Sequence, residues 1–94
     1  MSGDRSCRAT AVLNNKNGLH ARPAHLLVQT ANAYASRLLL GREGEAKSDG
    51  KSIMSIMMLA AEAGTVLELE SVGPDCEEQM RAVLELFAAK FGEE

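Results

Sequence analysis

Aromatic residues are nearly absent from this chain, which has one tyrosine, two phenylalanines and no tryptophan among 94 residues. The core must therefore be built from aliphatic side chains, and the chain lacks the aromatic platforms on which proteins stack nucleic-acid bases. The formal net charge is −3, and no basic stripe is visible in the sequence. Both features argue against a nucleic-acid partner.

Cysteine is also scarce, with only Cys7 and Cys76. Two cysteines are too few for a disulfide framework, and their spacing matches no zinc pattern. We expect two free thiols in a reducing cytoplasm, with a disulfide between them as the open alternative. No apolar run approaches the ~20 residues of a membrane span, and residues 1–6 are not followed by a signal-peptide-like run. These absences predict a cytoplasmic protein without direct membrane contact.

A single domain is expected from this length, because 94 residues support one modest core. Apolar residues make up 46% of the chain, which favours a globular fold over disorder. We interpret residues 1–8 as a polar N-terminal lead and residues 9–94 as the domain. The sequence contains neither an internal repeat nor a low-complexity linker.

Hydrophobic periodicity predicts seven elements in the order strand-helix-strand-strand-helix-strand-helix. The predicted strands cover residues 8–14, 36–42, 45–48 and 65–72. The predicted helices cover residues 21–34, 53–63 and about 76–91, with Gly64 as the C-terminal cap of the second. Asp75 and Glu78 have the spacing of a capping box at the start of the third helix. This order predicts a two-layer α+β domain, in which helices cover one face of an antiparallel sheet.

The most informative stretch is residues 17–24, which read Asn-Gly-Leu-His-Ala-Arg-Pro-Ala. Asn-Gly is a turn signal, and Pro23 suits the first turn of a helix, where its missing N–H would have no partner in any case. A helix is therefore expected to start at about Ala21, with His20 directly before it. The free backbone N–H groups of Ala21 and Arg22, together with the helix dipole, would form an anion site.

A histidine beside an anion site, with a guanidinium nearby, is arranged to accept and hold a phosphoryl group. The neutral imidazole of His20 is a nucleophile towards phosphorus, and Arg22 would stabilise the phosphoryl dianion after transfer. Taken one at a time, such a histidine is more often a cap or a surface residue, and such an arginine a solvated charge. The combination within three residues predicts a carrier of phosphate on His20.

The run from Gly18 to Ala24 resembles the active-site signature of the HPr family, the histidine-containing phosphocarriers of the bacterial sugar phosphotransferase system. A second run, from Lys51 to Met57, is similar to the regulatory-serine segment of that family. The resemblance extends over residues 9–91. It implies an open-faced sandwich of four antiparallel strands and three helices. It also implies phosphorylation of His20 on Nδ1, with Arg22 steadying the phosphate and without a metal or cofactor.

The same resemblance implies the partners. Phosphorylated enzyme I, charged from phosphoenolpyruvate, would be the donor, and a histidine on an enzyme IIA component of sugar transport would be the acceptor. Such a protein is a substrate and shuttle of enzymes, more than an enzyme itself. A kinase, the ATP-dependent HPr kinase/phosphorylase, would modify Ser52 and weaken transfer, and a transcriptional regulator is a further expected partner. We expect a monomer.

Ser52 and the segment that follows it have two readings each. Ser52 is expected to cap the second helix through its side chain, whether or not it is also phosphorylated. The short helix carries more apolar groups than one stripe can bury, so Ile56 and Leu59 are assigned to the core, and Met54 and Met57 to an exposed surface. Methionine surfaces adapt to several partners. The predicted partner-binding residues are His25, Leu26, Ile53, Met54 and Met57.

Three alternatives to a sugar-system carrier stay open. A nitrogen-branch relative of HPr would use the same histidine for regulation, and neither motif separates the two branches. A regulatory module that lacks the histidine is opposed by His20, and an unrelated anion-binding domain by the double motif. His25 departs from the small or apolar residue common in the family, and Gln29 and Asn32 replace basic residues that help to bind acidic partners. We reject a metal site at His20 and His25, because no cysteine or carboxylate completes it.

Overall fold

The computed structural model describes residues 5–93, which form a four-stranded antiparallel sheet with three α-helices. The elements are β1 (Ser6–Val12), α1 (Ala21–Asn32), β2 (Arg37–Arg42), β3 (Ser48–Asp49), α2 (Ile53–Met58), β4 (Val66–Val72) and α3 (Cys76–Ala88). A 3₁₀ turn over Lys90–Gly92 follows α3. The predicted order βαββαβα is confirmed, and so is the open-faced α+β sandwich.

The sheet has the strand order β1-β4-β2-β3, so that β1 and β3 are its edges. β1 begins at Ser6, two residues before the predicted start, and the rest of the predicted lead, residues 1–4, lies outside the described residues. β3 is the polar edge strand that was predicted, but it is only two residues long. No helix among residues 5–93 has the length and apolar character needed to cross a membrane.

Buried and exposed side chains alternate along the strands, so one face of the sheet is covered by the helices and the other is open. In β4, Leu67 and Leu69 are buried, whereas Glu68 and Glu70, which alternate with them, are half-buried on the other face, as predicted. Successive side chains of a strand point to opposite faces, so one face of the sheet supplies the core. The core is aliphatic apart from two phenylalanines, and its buried members include Leu13, Leu19, Leu27, Leu38, Leu40, Ile56, Leu67, Leu69, Val83, Phe87 and Phe91.

Helix α2 is shorter than predicted, because it ends at Met58 and not near residue 63. Ala60 adopts a left-handed conformation with φ +50°, which a continuing helix does not allow. The carbonyl of Ala61 then accepts a hydrogen bond from the Leu19 amide at 3.0 Å, which draws the chain towards the loop before α1. Gly64 therefore caps no helix; it lies in the turn before β4, with φ +91°.

The predicted capping box at α3 is wrong, although Asp75 is the N-cap residue. Its carboxylate makes no cap hydrogen bond to α3. It accepts hydrogen bonds from the backbone amides of Ala35 at 2.9 Å and Ser36 at 2.8 Å instead, and from the Ser36 hydroxyl. These bonds hold the pKa of Asp75 below its usual value, with the Ser36 hydroxyl as the largest cause. Asp75 thus fixes the loop between α1 and β2 against the start of α3.

The chain reverses after α3 at two residues with left-handed backbone, Lys90 (φ +55°) and Phe91 (φ +54°). The reversal buries Phe91, which is only 2% exposed, edge-on against Phe87 with 5.0 Å between ring centroids. Burial of this ring offsets the cost of the unfavourable backbone conformation. The turn brings Glu93 back to the start of α1.

Candidate functional site

A short loop places His20 at the start of α1, and backbone contacts fix that loop against the segment after α2. Leu19 is buried, and its amide donates to the carbonyl of Ala61 at 3.0 Å. Gly18 adopts φ +70°, and a β-carbon on it would lie 2.4 Å from the Ala61 carbonyl oxygen. Only glycine combines this left-handed backbone with so close an approach.

His20 is the N-cap residue of α1, but its side chain makes no cap hydrogen bond. Its backbone is extended, with φ −80° and ψ −169°, and its carbonyl accepts from the Ala24 amide at 3.0 Å. The first turn of a helix leaves N–H groups without intrahelical partners. Because Pro23 has no N–H and Ala24 is bonded, the amides of Ala21 and Arg22 remain as the donors of the predicted anion site.

The His20 ring is held by an acidic residue from the far end of the chain. Nε2 of His20 lies 3.0 Å from Oε2 of Glu93, and the two side chains are 40% and 18% exposed. The other carboxylate oxygen of Glu93 accepts a hydrogen bond from Nδ2 of Asn15 at 3.0 Å. Asn15 also donates to the carbonyl of Gly18 at 2.7 Å. The asparagine therefore ties the loop and the carboxylate together.

This arrangement defines which ring nitrogen of His20 is free. A carboxylate accepts hydrogen bonds, so a neutral ring bonded to Glu93 carries its proton on Nε2 and its lone pair on Nδ1. No hydrogen bond reaches Nδ1 from any residue in the range 5–93. The ring is thus oriented with Nδ1, the nitrogen that the family resemblance names, open to a reaction partner.

Glu93 is held in its charged form by its neighbours. The hydrogen bond from Asn15 is the largest cause that lowers the pKa of the Glu93 carboxyl below its usual value, followed by the hydrogen bond and charge of His20 and the charge of Arg22. Burial opposes the shift. Arg22 itself is exposed, and its guanidinium forms no ion pair within residues 5–93, so its charge stays accessible to an anion beside His20.

Asn15 and Glu93 are the two site residues that sequence reasoning missed. Asn15 lies in the polar run of residues 14–18, whose composition predicts only a loop, yet it is 0% exposed. Its Oδ1 atom is buried without a hydrogen-bond partner among the described residues. An unpaired buried acceptor costs about 1–3 kcal/mol, and the two hydrogen bonds that Nδ2 donates act against that cost. Glu93 lies 73 positions from His20, so no local pattern could signal their contact.

Ser52 occupies the N-cap position of α2 with an extended backbone, φ −119° and ψ 115°. Its Oγ accepts a hydrogen bond from the Ser55 amide at 3.2 Å, which confirms the predicted side-chain cap. The residue before it, Lys51, donates from Nζ to the Tyr34 carbonyl at 2.7 Å. Ser52 is half-buried, so its hydroxyl is a structural acceptor on a residue that still meets solvent.

The exposed side of α2 is rich in methionine. The exposure predicted for Met54 and Met57 is confirmed, at 71% and 44%, and Ile53 is 38% exposed. Met58, which the sequence did not single out, is 78% exposed. The core position predicted for Ile56 is confirmed at 0% exposure, and α2 packs against α1. We call Ile53, Met54, Met57 and Met58 the methionine face.

Two predicted partner-binding residues lie on α1. His25 is exposed, and Leu26 is half-buried and packs partly against the core. Within residues 5–93, no group of three or more histidine, cysteine, aspartate or glutamate side chains could hold a metal ion.

Comparison with known proteins identifies relatives that match most of the chain. The family model described as "PTS HPr component phosphorylation site" matches residues 7–89. Phosphocarrier protein HPr of Cupriavidus necator is 46% identical over 86 residues, which cover 92% of this chain and 94% of that protein. Phosphocarrier protein NPr of Escherichia coli K12 is 32% identical over 87 residues, which cover 93% of this chain and 97% of that protein.

A solved structure shares the fold over nearly the whole chain. The crystal structure of HPr-C-His from Thermoanaerobacter tengcongensis superposes with a TM-score of 0.88 at 43% sequence identity, covering 94% of this chain and 98% of that one. The family model spans both His20 and Ser52. The chain therefore belongs to the HPr family, the phosphocarrier proteins of the phosphotransferase system.

Proposed function

We propose that His20 accepts a phosphoryl group on Nδ1 from phosphorylated enzyme I and passes it to an enzyme IIA component of sugar transport. In the first step a bond forms between Nδ1 and phosphorus, and the bond from phosphorus to the donor breaks. In the second step a bond forms between phosphorus and the acceptor histidine, and the bond between phosphorus and Nδ1 of His20 breaks. The protein is the acceptor in one enzyme's reaction and the donor in the next, so it acts as a carrier of the phosphoryl group. We propose that it works as a monomer in the cytoplasm.

The observation that carries this proposal is the hydrogen bond between Nε2 of His20 and Glu93, at 3.0 Å. It keeps the lone pair on Nδ1, which is the atom that must attack phosphorus. Phosphoryl transfer depends mainly on positioning and on stabilisation of charge. Glu93 is a positioning residue, and the amides of Ala21 and Arg22 and the Arg22 guanidinium would stabilise the phosphoryl oxygens.

Charging with enzyme I and phosphoenolpyruvate tests the assignment, read by intact mass and by acid lability of the phosphate. The wild type should gain one phosphate that is lost in acid, and His20→Ala should gain none. His25→Ala is the matched control, since it removes the other histidine of the chain; loss of a docking residue can slow its charging, but at the end point it should still gain one acid-labile phosphate. A His20→Ala protein that still takes up acid-labile phosphate would contradict the proposal.

We further propose that Ser52 is a regulatory phosphorylation site of HPr kinase/phosphorylase. Ser52 is half-buried, and its hydroxyl lies at the N-terminus of α2, where the helix dipole favours negative charge. A phosphate there would stand next to the methionine face. It would therefore change the charge of the surface that partners contact, and would leave His20 itself in place.

The methionine face, with His25 and Leu26 of α1, is the proposed docking surface for enzyme I, enzyme IIA, the kinase and a transcriptional regulator. The hydrogen bond from Leu19 to Ala61 places the end of α2 beside the loop that carries His20. A partner seated on the exposed methionines would therefore reach the histidine. Flexible methionine side chains suit a protein that must bind several partners.

A nitrogen-branch carrier is the second candidate, favoured by the 32% identity to phosphocarrier protein NPr of Escherichia coli. Charging the protein separately with the enzyme I of each branch distinguishes the two. Faster charging by the sugar-branch enzyme supports the first proposal, and faster charging by the nitrogen-branch enzyme supports the second. In both cases His20 is the acceptor.

A further inference from the structure

The two cysteines of the chain meet at the end of the sheet remote from His20. Cys7 lies near the start of β1, whose end leads to the His20 loop, and Cys76 is the first residue of α3. Their Sγ atoms are 3.3 Å apart, although the residues are 69 positions apart in the chain. Both are free thiols.

The fold explains why these residues meet. Alternation along β1 places Cys7 with Ala9 and Ala11 on the face that α3 covers. Cys7 pairs with Ser71 across the ladder to β4, and the chain needs only the turn after Val72 to bring Cys76 back over that face.

Neighbouring contacts hold both backbones in place. The amide of Gly73 donates to the carbonyl of Arg5 at 2.8 Å, and the Arg5 guanidinium pairs with Glu77. A disulfide needs about 2 Å between the sulfur atoms, so small side-chain rotations would bring the two thiols into bonding distance. The surrounding structure already supplies the required proximity.

The two thiols differ in access. Cys7 is partly exposed and borders a shallow apolar groove of about 530 Å³ along α3, lined also by Met80 and Leu84. Cys76 is only 1% exposed. A small oxidant therefore reaches Cys7 first, and Cys76 is placed directly behind it.

We propose that Cys7 and Cys76 form a reversible intramolecular disulfide when the protein meets a peroxide. The Cys7 sulfur attacks one peroxide oxygen, the O–O bond breaks, and Cys7 becomes a sulfenic acid while water leaves. The Cys76 thiol then attacks the Cys7 sulfur, the S–S bond forms, and a second water leaves. Two thiols are oxidised and one hydrogen peroxide is reduced to two waters; a dithiol reductant reverses the change.

The reaction should be slow at neutral pH. The hydrogen bond with Cys76 is the largest cause that raises the pKa of the Cys7 thiol, and burial adds to it. The thiolate is the reactive form, so the rate should rise roughly tenfold per pH unit below that pKa. The disulfide should therefore accumulate during sustained exposure to peroxide, and little of it should form during a brief one.

Treatment of the full-length protein with hydrogen peroxide tests the proposal. The wild type should lose two hydrogens by intact mass, and a non-reducing digest should contain one peptide pair joined through Cys7 and Cys76. The cross-link closes a large loop of the unfolded chain, so the Tm should rise by roughly 10–20 °C and return after reduction. With dimedone present, concentrated urea should divert more of the protein to the dimedone adduct of Cys7 and less to the disulfide, because unfolding removes the proximity of Cys76.

Single substitutions assign the two roles. Cys76→Ala should let a sulfenic acid accumulate on Cys7, detected by a dimedone adduct, and Cys7→Ser should leave the buried Cys76 unoxidised. Cys7 is only partly buried, so its serine variant keeps the test valid if the alanine at position 76 weakens the fold. Disulfide-linked dimers, or oxygen added to wild-type cysteines without the cross-link, would overturn the proposal.

Discussion

His20 and Ser52 hold the same position in two helices, and the structure uses them in opposite ways. Each is an extended N-cap residue, before α1 and α2 respectively. The Ser52 hydroxyl caps its helix by accepting from the Ser55 amide, whereas the His20 ring makes no cap bond and turns to Glu93. One side chain stabilises a helix, and the other leaves the helix amides free.

The difference shows that the free amides at a helix start can either be capped, which stabilises the helix, or be left free to bind an anion. A serine or aspartate at position 20 would occupy the amides that a phosphoryl group needs. α1 gives up that cap and depends on other features, namely Pro23 in its first turn and four buried residues on one face, Ala24, Leu27, Val28 and Ala31. α2 has only six residues and one buried side chain, so its cap matters more.

The largest effect should come from removing Glu93, the residue that holds the His20 ring in place of a cap bond. Glu93→Ala should slow charging by enzyme I roughly tenfold, the size expected for one lost hydrogen bond to a charged group, because the ring loses its fixed orientation. Glu93→Gln should recover part of that rate, since its amide oxygen can still accept from Nε2. Quench-flow charging at several enzyme I concentrations measures the change.

The control for this prediction is Glu85→Ala, which removes an exposed acidic residue of α3 and should leave the charging rate unchanged. A positioning role requires Glu93→Ala to lose rate at a temperature well below its own Tm, and Glu93→Gln to recover part of that rate. Equal rates for Glu93→Ala and Glu85→Ala would show that Glu93 has no part in transfer.

The next effect in size concerns the cap at Ser52. Ser52→Ala should lower the free energy of unfolding by about 1 kcal/mol and the Tm by roughly 4–8 °C, because the Ser55 amide loses its acceptor. The variant should still be charged on His20, and should no longer take up acid-stable phosphate from ATP and HPr kinase. Thermal unfolding and intact mass measure the two outcomes.

Ser55→Ala is the matched control, because only the backbone amide of Ser55 takes part in the cap. It should keep both the Tm and the ATP-dependent phosphate. Acid-stable phosphate on Ser52→Ala but not on Ser55→Ala would move the regulatory site to Ser55.

The smallest effect is a pH dependence of the Tm in acid, which should distinguish the Glu93 contact at His20 from the Ser52 cap. The folded state holds the pKa of Glu93 below its usual 4.5, so its carboxylate contributes stability above that pH and loses it as the pH falls through the lowered pKa. The Tm of Glu93→Gln should therefore fall less than that of the wild type below about pH 4.5. Asp75 keeps part of the acid sensitivity, because its pKa is lowered as well.

Parallel Tm curves for the wild type and Glu93→Gln would show that the contacts of Glu93 with Asn15 and His20 do not contribute to the acid dependence of stability. The neutral hydroxyl cap of Ser52 should give Ser52→Ala a constant Tm difference from the wild type over the same pH range.

Local sequence patterns were sufficient to predict the helices and strands that surround this site. The proline of α1, the alternation in β4 and the serine before α2 each act through neighbours in sequence, and the structure agrees with them. The contacts that complete the site connect distant segments. Asn15 bonds to Glu93 across 78 positions, and no short-range signal marks either residue.

The wrong predictions have the same origin. α2 ends at Met58, before the left-handed Ala60, and the bond from Leu19 to Ala61 fixes the segment that follows, so the glycine at position 64 caps no helix. Asp75 has the spacing of a capping residue, yet its carboxylate accepts hydrogen bonds from two amides and a hydroxyl at residues 35–36, and none from the amides of α3. Tertiary hydrogen bonds overrode the local preference in both places.

The contact at Gly18 has a mechanical consequence. With a β-carbon position 2.4 Å from the Ala61 carbonyl oxygen, this residue leaves no slack between the histidine loop and the segment that follows the methionine face. The close approach and the bond from Leu19 to Ala61 fix the segment after α2 and the loop of His20 relative to each other. A substitution that displaces one of them should therefore displace the other.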